Sequence, residues 1–579
     1  MNRLDRAVIA GLVLVVILAA VAIGGPAFAP RDPGPARTGP PSTVPSAPYR
    51  EGVLGRPSNV NPLAAWTQAD RDLVALVFPG LVGRDAQARP VPALARSWTS
   101  SDDGSSWTFT LDRTARWQDG EALTADDVIF TIETLKSPDY HGPGAGSWTG
   151  ITVRAVDAST VRFELTTPLG GFLELATQPI APAHLLAGTP PGSLADDPFG
   201  EAPIGSGPYT IVELDRDHAA LERSSLVAAP GSDVASPSVG SSSDPLATVR
   251  PTPGPTSNQA VIPRLEFRYF DDAEPLGAAF RAGDLDAVSG LDPAAAAELA
   301  DAAGARTVRN PSTTLTAIIL NLRPAQPAFA DPRTRAALLG AIDRERIVAV
   351  AYGGLAMRAD GLVPASSWAF DAAAGPRVTR DLKAATKALT DAGWTKAKDG
   401  WRRTATDKQP QTLELLVADR ALNPVHFAIA SQAAADWKAL GFSVDVVERD
   451  PAVLATDHLR TGDFELALVE IAIGHDPDLY PLLASSQTRT GGANVIGLQD
   501  PALDELLLAA RAPGTEAARI AAYVALQARL AGGVYLLPIA WPDEAVVVTD
   551  RVVGPAPRPV ADGSERFGDV LTWRLADDR

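Results

Sequence analysis

Apolar residues recur along this chain in three different rhythms, and each predicts its own kind of element. The first is an unbroken run, Ala7–Ile23, behind Arg3 and Arg6. A basic start followed by a long apolar stretch reads as a signal or an N-terminal membrane anchor over residues 1–23. The second is strict alternation. In SWTFTLDR (Ser106–Arg113), Trp107, Phe109 and Leu111 share one face, as in a half-buried strand. Val153–Leu165 repeats the pattern as a hairpin, and Leu265–Phe270 reads as another strand. The third is helical spacing. Val128, Ile129, Ile132 and Leu135 follow Thr124, whose partner at the third helical position is Asp127, a short form of the capping box. Asp119-Gly120 supplies the turn between strand and helix.

Helical spacing returns over Leu73–Leu81, Leu276–Ala282, Ala384–Trp394, Asp500–Arg511 and Ala517–Leu530. Asp331-Pro332 is a good start for a helix that ends at Gly353-Gly354. Continuous apolar runs at Leu315–Leu322, Leu413–Val417, Phe442–Val447, Phe464–Ile471 and Gly533–Trp541 read as buried strands. Strands and helices thus alternate, which predicts an α/β fold. At 579 residues the chain exceeds what one core supports, so at least two lobes are expected.

Composition changes this picture at two places. Gly24–Pro48 holds eight prolines among Gly, Ser and Thr and predicts an extended tether. Ser224–Ala260 is dominated by Ser, Pro, Gly, Ala and Thr and reads as a disordered insertion. Ala27-Phe28-Ala29 offers a cleavage site, but Pro30 follows it, so the reading leans to an uncleaved anchor, with cleavage as the alternative. Arg3 and Arg6 place the start inside and the rest outside the cytoplasm.

Charge and chemistry narrow the function. The net charge is -18, which speaks against nucleic acid as a partner. No cysteine is present, so disulfides, thiolate nucleophiles and cysteine metal sites are excluded. The six histidines are scattered, and no H-E-x-x-H, G-x-S-x-G or Walker A pattern occurs. No cofactor, no metal and no catalytic residue is expected. A nickel-type site through His475 stays open as a minor alternative.

Several motifs, taken in order, resemble one family. They are PALARSW (Pro92–Trp98), RWQDGEALTADDVIF (Arg116–Phe130), PIGSGPY (Pro203–Tyr209), GDLDA (Gly283–Ala287), Asp331–Asp343, AATKALTDAGW (Ala384–Trp394) and DPDLY (Asp476–Tyr480). Their order and spacing are similar to the family 5 extracellular solute-binding proteins, the peptide- and nickel-type receptors of ABC importers. The resemblance implies a two-lobed periplasmic-binding-protein-like fold of type II, with mixed sheets flanked by helices and a hinge. Lobe I would span 49–305 and 536–579, and lobe II 306–535.

The resemblance also implies a site. Trp66, Thr67 and Gln68 match a cleft-lining loop, although an ordinary loop is the competing reading. Asn321 ends a family-like strand. Arg420 and Asn423 fall in an R-x-x-N-P stretch whose arginine holds the ligand carboxylate in dipeptide-binding members. Asp476, Asp478 and Tyr480 complete the candidates. Matching through Asp476-Pro477 puts Glu470 and Ile473 where peptide-binding members have a Trp and an amine-pairing Asp. Glu470, Asp476 or Asp478 could replace that carboxylate. The implied protein is a monomeric extracytoplasmic receptor that passes a peptide or other small solute to ABC permease subunits. A membrane-tethered sensor of the same fold, uncoupled from transport, is the alternative.

Overall fold

The computed structural model describes residues 47–225, 262–375, 378–404 and 407–576. The anchor and tether expected over 1–48 fall almost wholly outside these residues, and so does nearly all of the expected insertion. Among the described residues no helix is long and apolar enough to cross a membrane.

One mixed sheet runs through the molecule. Its strand order is Ser443–Arg449, Thr412–Ala418, Leu466–Ala472, Thr314–Leu320, Leu536–Val548, Ala287–Ser289, Tyr49–Leu54, Arg264–Phe270, His218–Arg223 and Tyr209–Leu214. The 13-residue strand Leu536–Val548 makes this continuity possible. Its first part pairs antiparallel with Thr314–Leu320, and its last part with Arg306–Pro311 and Ala287–Ser289. The chain therefore crosses between the two halves twice, once through Arg306–Leu320 and once through Leu536–Val548.

The two halves have separate cores. One apolar cluster joins Tyr49, Phe109, Trp117, Phe163, Phe267 and Trp573. It gathers the central sheet and a four-stranded antiparallel sheet of Ala95–Ser100, Ser106–Leu111, Thr160–Leu165 and Ile151–Asp157. The other half is covered on both faces. In Thr314–Leu320, Ile318 and Leu320 pack with Leu413, Leu415 and Trp437, whereas Leu315, Ala317 and Ile319 pack with Leu416, Tyr523 and Trp541. Burial on both faces is why these strands read as unbroken apolar runs.

The corner Arg116–Leu135 forms as the sequence predicts. The backbone N–H of Thr124 donates to Asp127 at 2.8 Å, and the helix runs Ala125–Lys136. Trp117 is fully buried. Two expectations need correction. The helix predicted over Leu73–Leu81 spans Gln68–Val77 instead. Thr67 caps it, and Pro79 biases Phe78 to the extended backbone observed there. The single helix predicted after Asp331 is two, Pro332–Ala341 and Arg344–Val350, because Asp343 caps a second start.

Candidate functional site

The site grows from two walls and the strand that joins them. The first wall begins at the N-terminus of the Gln68–Val77 helix. Thr67 and Asp70 form a reciprocal capping box, and Asp70 also accepts from Ser58 and Asn59. The loop before the helix is thereby pinned, and it presents Trp66 with 58% of the residue's surface exposed. Gln68 donates to Asp72 at 2.8 Å and to Asp562 at 3.3 Å, while Arg71 donates to Asp562 at 2.7 Å.

Beneath this loop lies a buried ion network. Arg566 bridges Asp72 at 2.6 Å and Glu51 at 2.9 Å, and the Tyr49 hydroxyl donates to Glu51 at 2.7 Å. Burial opposes the Arg566 charge, but Asp72 and Glu51 outweigh it and hold its pKa well above the ordinary value. Burial also pushes the Asp72 carboxyl up. The network ties the C-terminal segment Gly563–Thr572 to the first strand and to the Trp66 loop.

The second wall stands at the carboxyl ends of three parallel strands, Thr412–Ala418, Ser443–Arg449 and Leu466–Ala472. Ligands of open α/β sheets bind outside such ends. Here those ends bring Arg420, Glu448 and Glu470 to one edge. Register puts Val417 beside Glu448, so Arg420 reaches it: its backbone N–H and its Nε each donate at 2.9 Å. The guanidinium also lies 3.8 Å over the Phe427 ring. The Arg420 bonds lower the Glu448 carboxyl to about 2. Asn423 caps the helix Pro424–Leu440 by accepting from the His426 N–H at 2.9 Å. His426 Nε2 lies 3.0 Å from a Glu470 oxygen, and this bond holds Glu470 below the ordinary carboxylate range.

Glu544, on the crossing strand Leu536–Val548, joins the walls. Its side chain is open to solvent and has no hydrogen-bond or ion-pair partner among the described residues. Protein around it is nevertheless dense enough that burial raises its pKa; Arg566 opposes this, and Asp562, Glu470 and Asp72 add to it. Glu544 is thus within electrostatic reach of both walls. The first wall thus carries the Arg71–Asp562 pair, the second the Arg420–Glu448 and His426–Glu470 pairs.

The remaining candidates lie elsewhere. Asp476 is held by two Arg519 bonds at 2.7 and 2.8 Å, and Gly171 packs against it. Asp478 pairs with Arg511 at 3.0 Å, and Arg511 stacks 4.5 Å over Tyr480. Beside them His475 contacts Glu565 at 2.7 Å, and its backbone N–H donates to Glu174. Asp476, Asp478 and Tyr480 thus belong to an internally paired joint at the meeting of the two halves. Asn321 is buried at the far end of its strand, donating to the carbonyls of Gly462 and Phe464. Ile473 is buried and donates its backbone N–H to Thr313. Sequence reasoning missed Glu448, Glu544 and Asp562. The signal for Glu544 was present, since Asp543-Glu544 interrupts an otherwise apolar strand. No group of three or more His, Asp or Glu side chains able to hold a metal occurs among the described residues.

A two-lobed α/β molecule with crossing strands and a polar inter-wall site is the architecture of a binding protein that closes around a solute. Comparison with known proteins specifies the class. The model of bacterial extracellular solute-binding proteins, family 5 (Middle), matches residues 89–493, and the chain belongs to that family. It is 28% identical to Protein XP55 of Streptomyces lividans over 507 residues, 86% of this chain and 84% of that one. The fold is similar to the substrate-binding protein CtaP of Listeria monocytogenes, at TM-score 0.72 and 23% identity over 92% of this chain and 99% of that one. It is also similar to the oligopeptide-binding protein AppA of Bacillus subtilis in complex with a nonapeptide, at TM-score 0.68 and 20% identity over 92% and 100%.

Proposed function

We propose that the chain is the extracytoplasmic receptor of an ABC importer, binding a peptide or other small solute that presents an amino or guanidinium group. The two walls are then the sides of an interlobe cleft, between lobe I (49–305 and 536–579) and lobe II (306–535). The observation that carries this reading is Glu544, a carboxylate exposed on the crossing strand between the two walls and without a side-chain partner among the described residues. A ligand cation there gains charge-assisted hydrogen bonds that water cannot match once closure excludes it. Trp66 supplies an open aromatic face for an apolar or cationic portion. Arg420 takes a ligand carboxylate only by exchange with Glu448, so the amine end dominates recognition.

The role is binding rather than catalysis, because these walls offer ion pairs and no nucleophile beside a base. The protein acts as a monomer tethered by its N-terminal segment, and its permease and ATPase are separate chains. Mass spectrometry of solute released by denaturing purified 49–579 tests the reading. Recovery of short peptides or amines supports it. Recovery of only neutral or anionic solutes overturns it.

A further inference from the structure

A groove of about 880 Å³ lies on the half of the molecule that holds Arg420, but away from it. The strand Thr314–Leu320 runs antiparallel to Leu466–Ala472, with Thr314 beside Ala472 and Leu320 beside Leu466. Six residues at about 3.4 Å each put the Leu322–Arg323 end roughly 20 Å from the Glu470 edge. The groove opens at that distal end, lined by Arg323, Arg335, Asp500, Arg529 and Tyr535.

Its lining is basic although the chain as a whole is acidic. Asp500 is the sole carboxylate of the lining, against three arginines, in a protein of net charge -18. Asp500 is already engaged by Arg529, the Tyr535 hydroxyl and the backbone N–H of Leu503. Arg335 is buried and has no ion pair among the described residues. Its N–H groups go to the carbonyls of Gly533 and Val534, at the C-terminal end of the helix Glu516–Gly533, and of Phe329 and Ala330, at the end of the short turn Pro327–Phe329. A helix C-terminus explains that arginine.

Arg323 has no such explanation. It has no carboxylate partner among the described residues, and burial alone lowers its pKa. Yet it is firmly placed. Asn321 Oδ1 and the Val495 carbonyl accept from one guanidinium nitrogen at 3.2 and 2.7 Å. Gly462 and Gly497, at φ +77° and +72°, leave it room, for a Cβ on either would stand 2.6 or 2.3 Å from its side chain. A positioned, half-buried guanidinium without a counter-ion has spare donors that suit an oxyanion.

We propose that this groove is a second binding site, taking a small solute whose phosphate or carboxylate group sits on Arg323. The site is independent of the cleft, and its ligand has the opposite charge. The test is calorimetric titration of residues 49–579 with inorganic pyrophosphate and with citrate at low ionic strength, beside the R323Q variant. Saturable binding of either probe, weakened about tenfold or more by R323Q, is the expected result. A shift of the Arg323 Nε–H resonance on titrating the unaltered protein gives the same answer without a variant. R323Q leaves binding of a cleft ligand unchanged. Absence of saturable binding of both probes overturns the proposal, as does equal affinity in R323Q. Binding to phosphatidylglycerol vesicles without binding of either free anion overturns it in favour of a membrane contact.

Discussion

Replacing Glu544 by Gln keeps the volume of the side chain and removes its charge, so it isolates the feature on which recognition rests. A ligand ammonium at about 4 Å from a carboxylate, at an effective dielectric of about 20, gains about 4 kcal/mol. Desolvation and ordering reduce the net contribution to about 1.5–3 kcal/mol. E544Q therefore weakens an amine-bearing ligand roughly 10- to 150-fold in Kd. The pH dependence provides a second signature. In the free protein burial raises the Glu544 pKa, and Asp562, Glu470 and Asp72 add to it against the opposing charge of Arg566. A bound cation favours the ionised form, so binding releases a proton wherever Glu544 is protonated in the free protein. Affinity then rises with pH from the ordinary carboxylate range up to the raised Glu544 value and is level above it. E544Q loses this slope. Glu470 does not imitate it, because the His426 bond lowers its pKa and moves its transition to more acid pH.

Stability should move the other way. A carboxyl whose folded pKa exceeds its unfolded one destabilises the fold above both values and ceases to do so below the unfolded one. E544Q is thus more stable than the parent at neutral pH, and the difference closes in acid. Calorimetry of the recovered ligand and thermal unfolding, each across pH, read both effects. Unchanged affinity together with an unchanged pH slope in E544Q would refute the reasoning.

Other consequences are as direct. Arg566→Met strands Glu51 and Asp72, both buried, without their cation. Denaturant unfolding should show a loss of about 3–5 kcal/mol. Glu448→Gln frees the Arg420 fork, so a ligand with a free carboxylate gains affinity by calorimetry while its amidated form does not. Trp117→Ala empties a fully buried site and costs about 3–5 kcal/mol. Its ligand Kd, measured on the folded fraction, stays that of the parent, because this corner builds the scaffold.

What the sequence discloses follows the range of the forces involved. The corner Arg116–Leu135 was legible because turn, cap and helix stripe are all set within twenty residues. The strands Leu315–Leu322 and Leu413–Val417 were legible because burial on both faces makes them uniformly apolar. The single-helix reading after Asp331 failed where a second cap, Asp343, competed with the apolar pattern. The site was less legible because its partners are distant in the chain. Arg420 meets Glu448 through parallel register, Asp476 meets Arg519 across 43 residues, and Asp562 meets Arg71 across 491. Sequence marks Arg420 as an arginine suited to a carboxylate, but it cannot show that the chain supplies one. Asn321 illustrates the same limit, since its amide binds the chain and helps hold Arg323.

The central claim is that the cleft recognises a positive charge on its solute. The most direct test compares thermal stabilisation of residues 49–579 by di- to pentapeptides lacking Lys and Arg, by their N-acetylated counterparts, and by small amines and matched acids. Stabilisation by free-amine compounds that is lost on acetylation is the predicted result. Equal stabilisation by acetylated peptides, or stabilisation confined to acids, would contradict it.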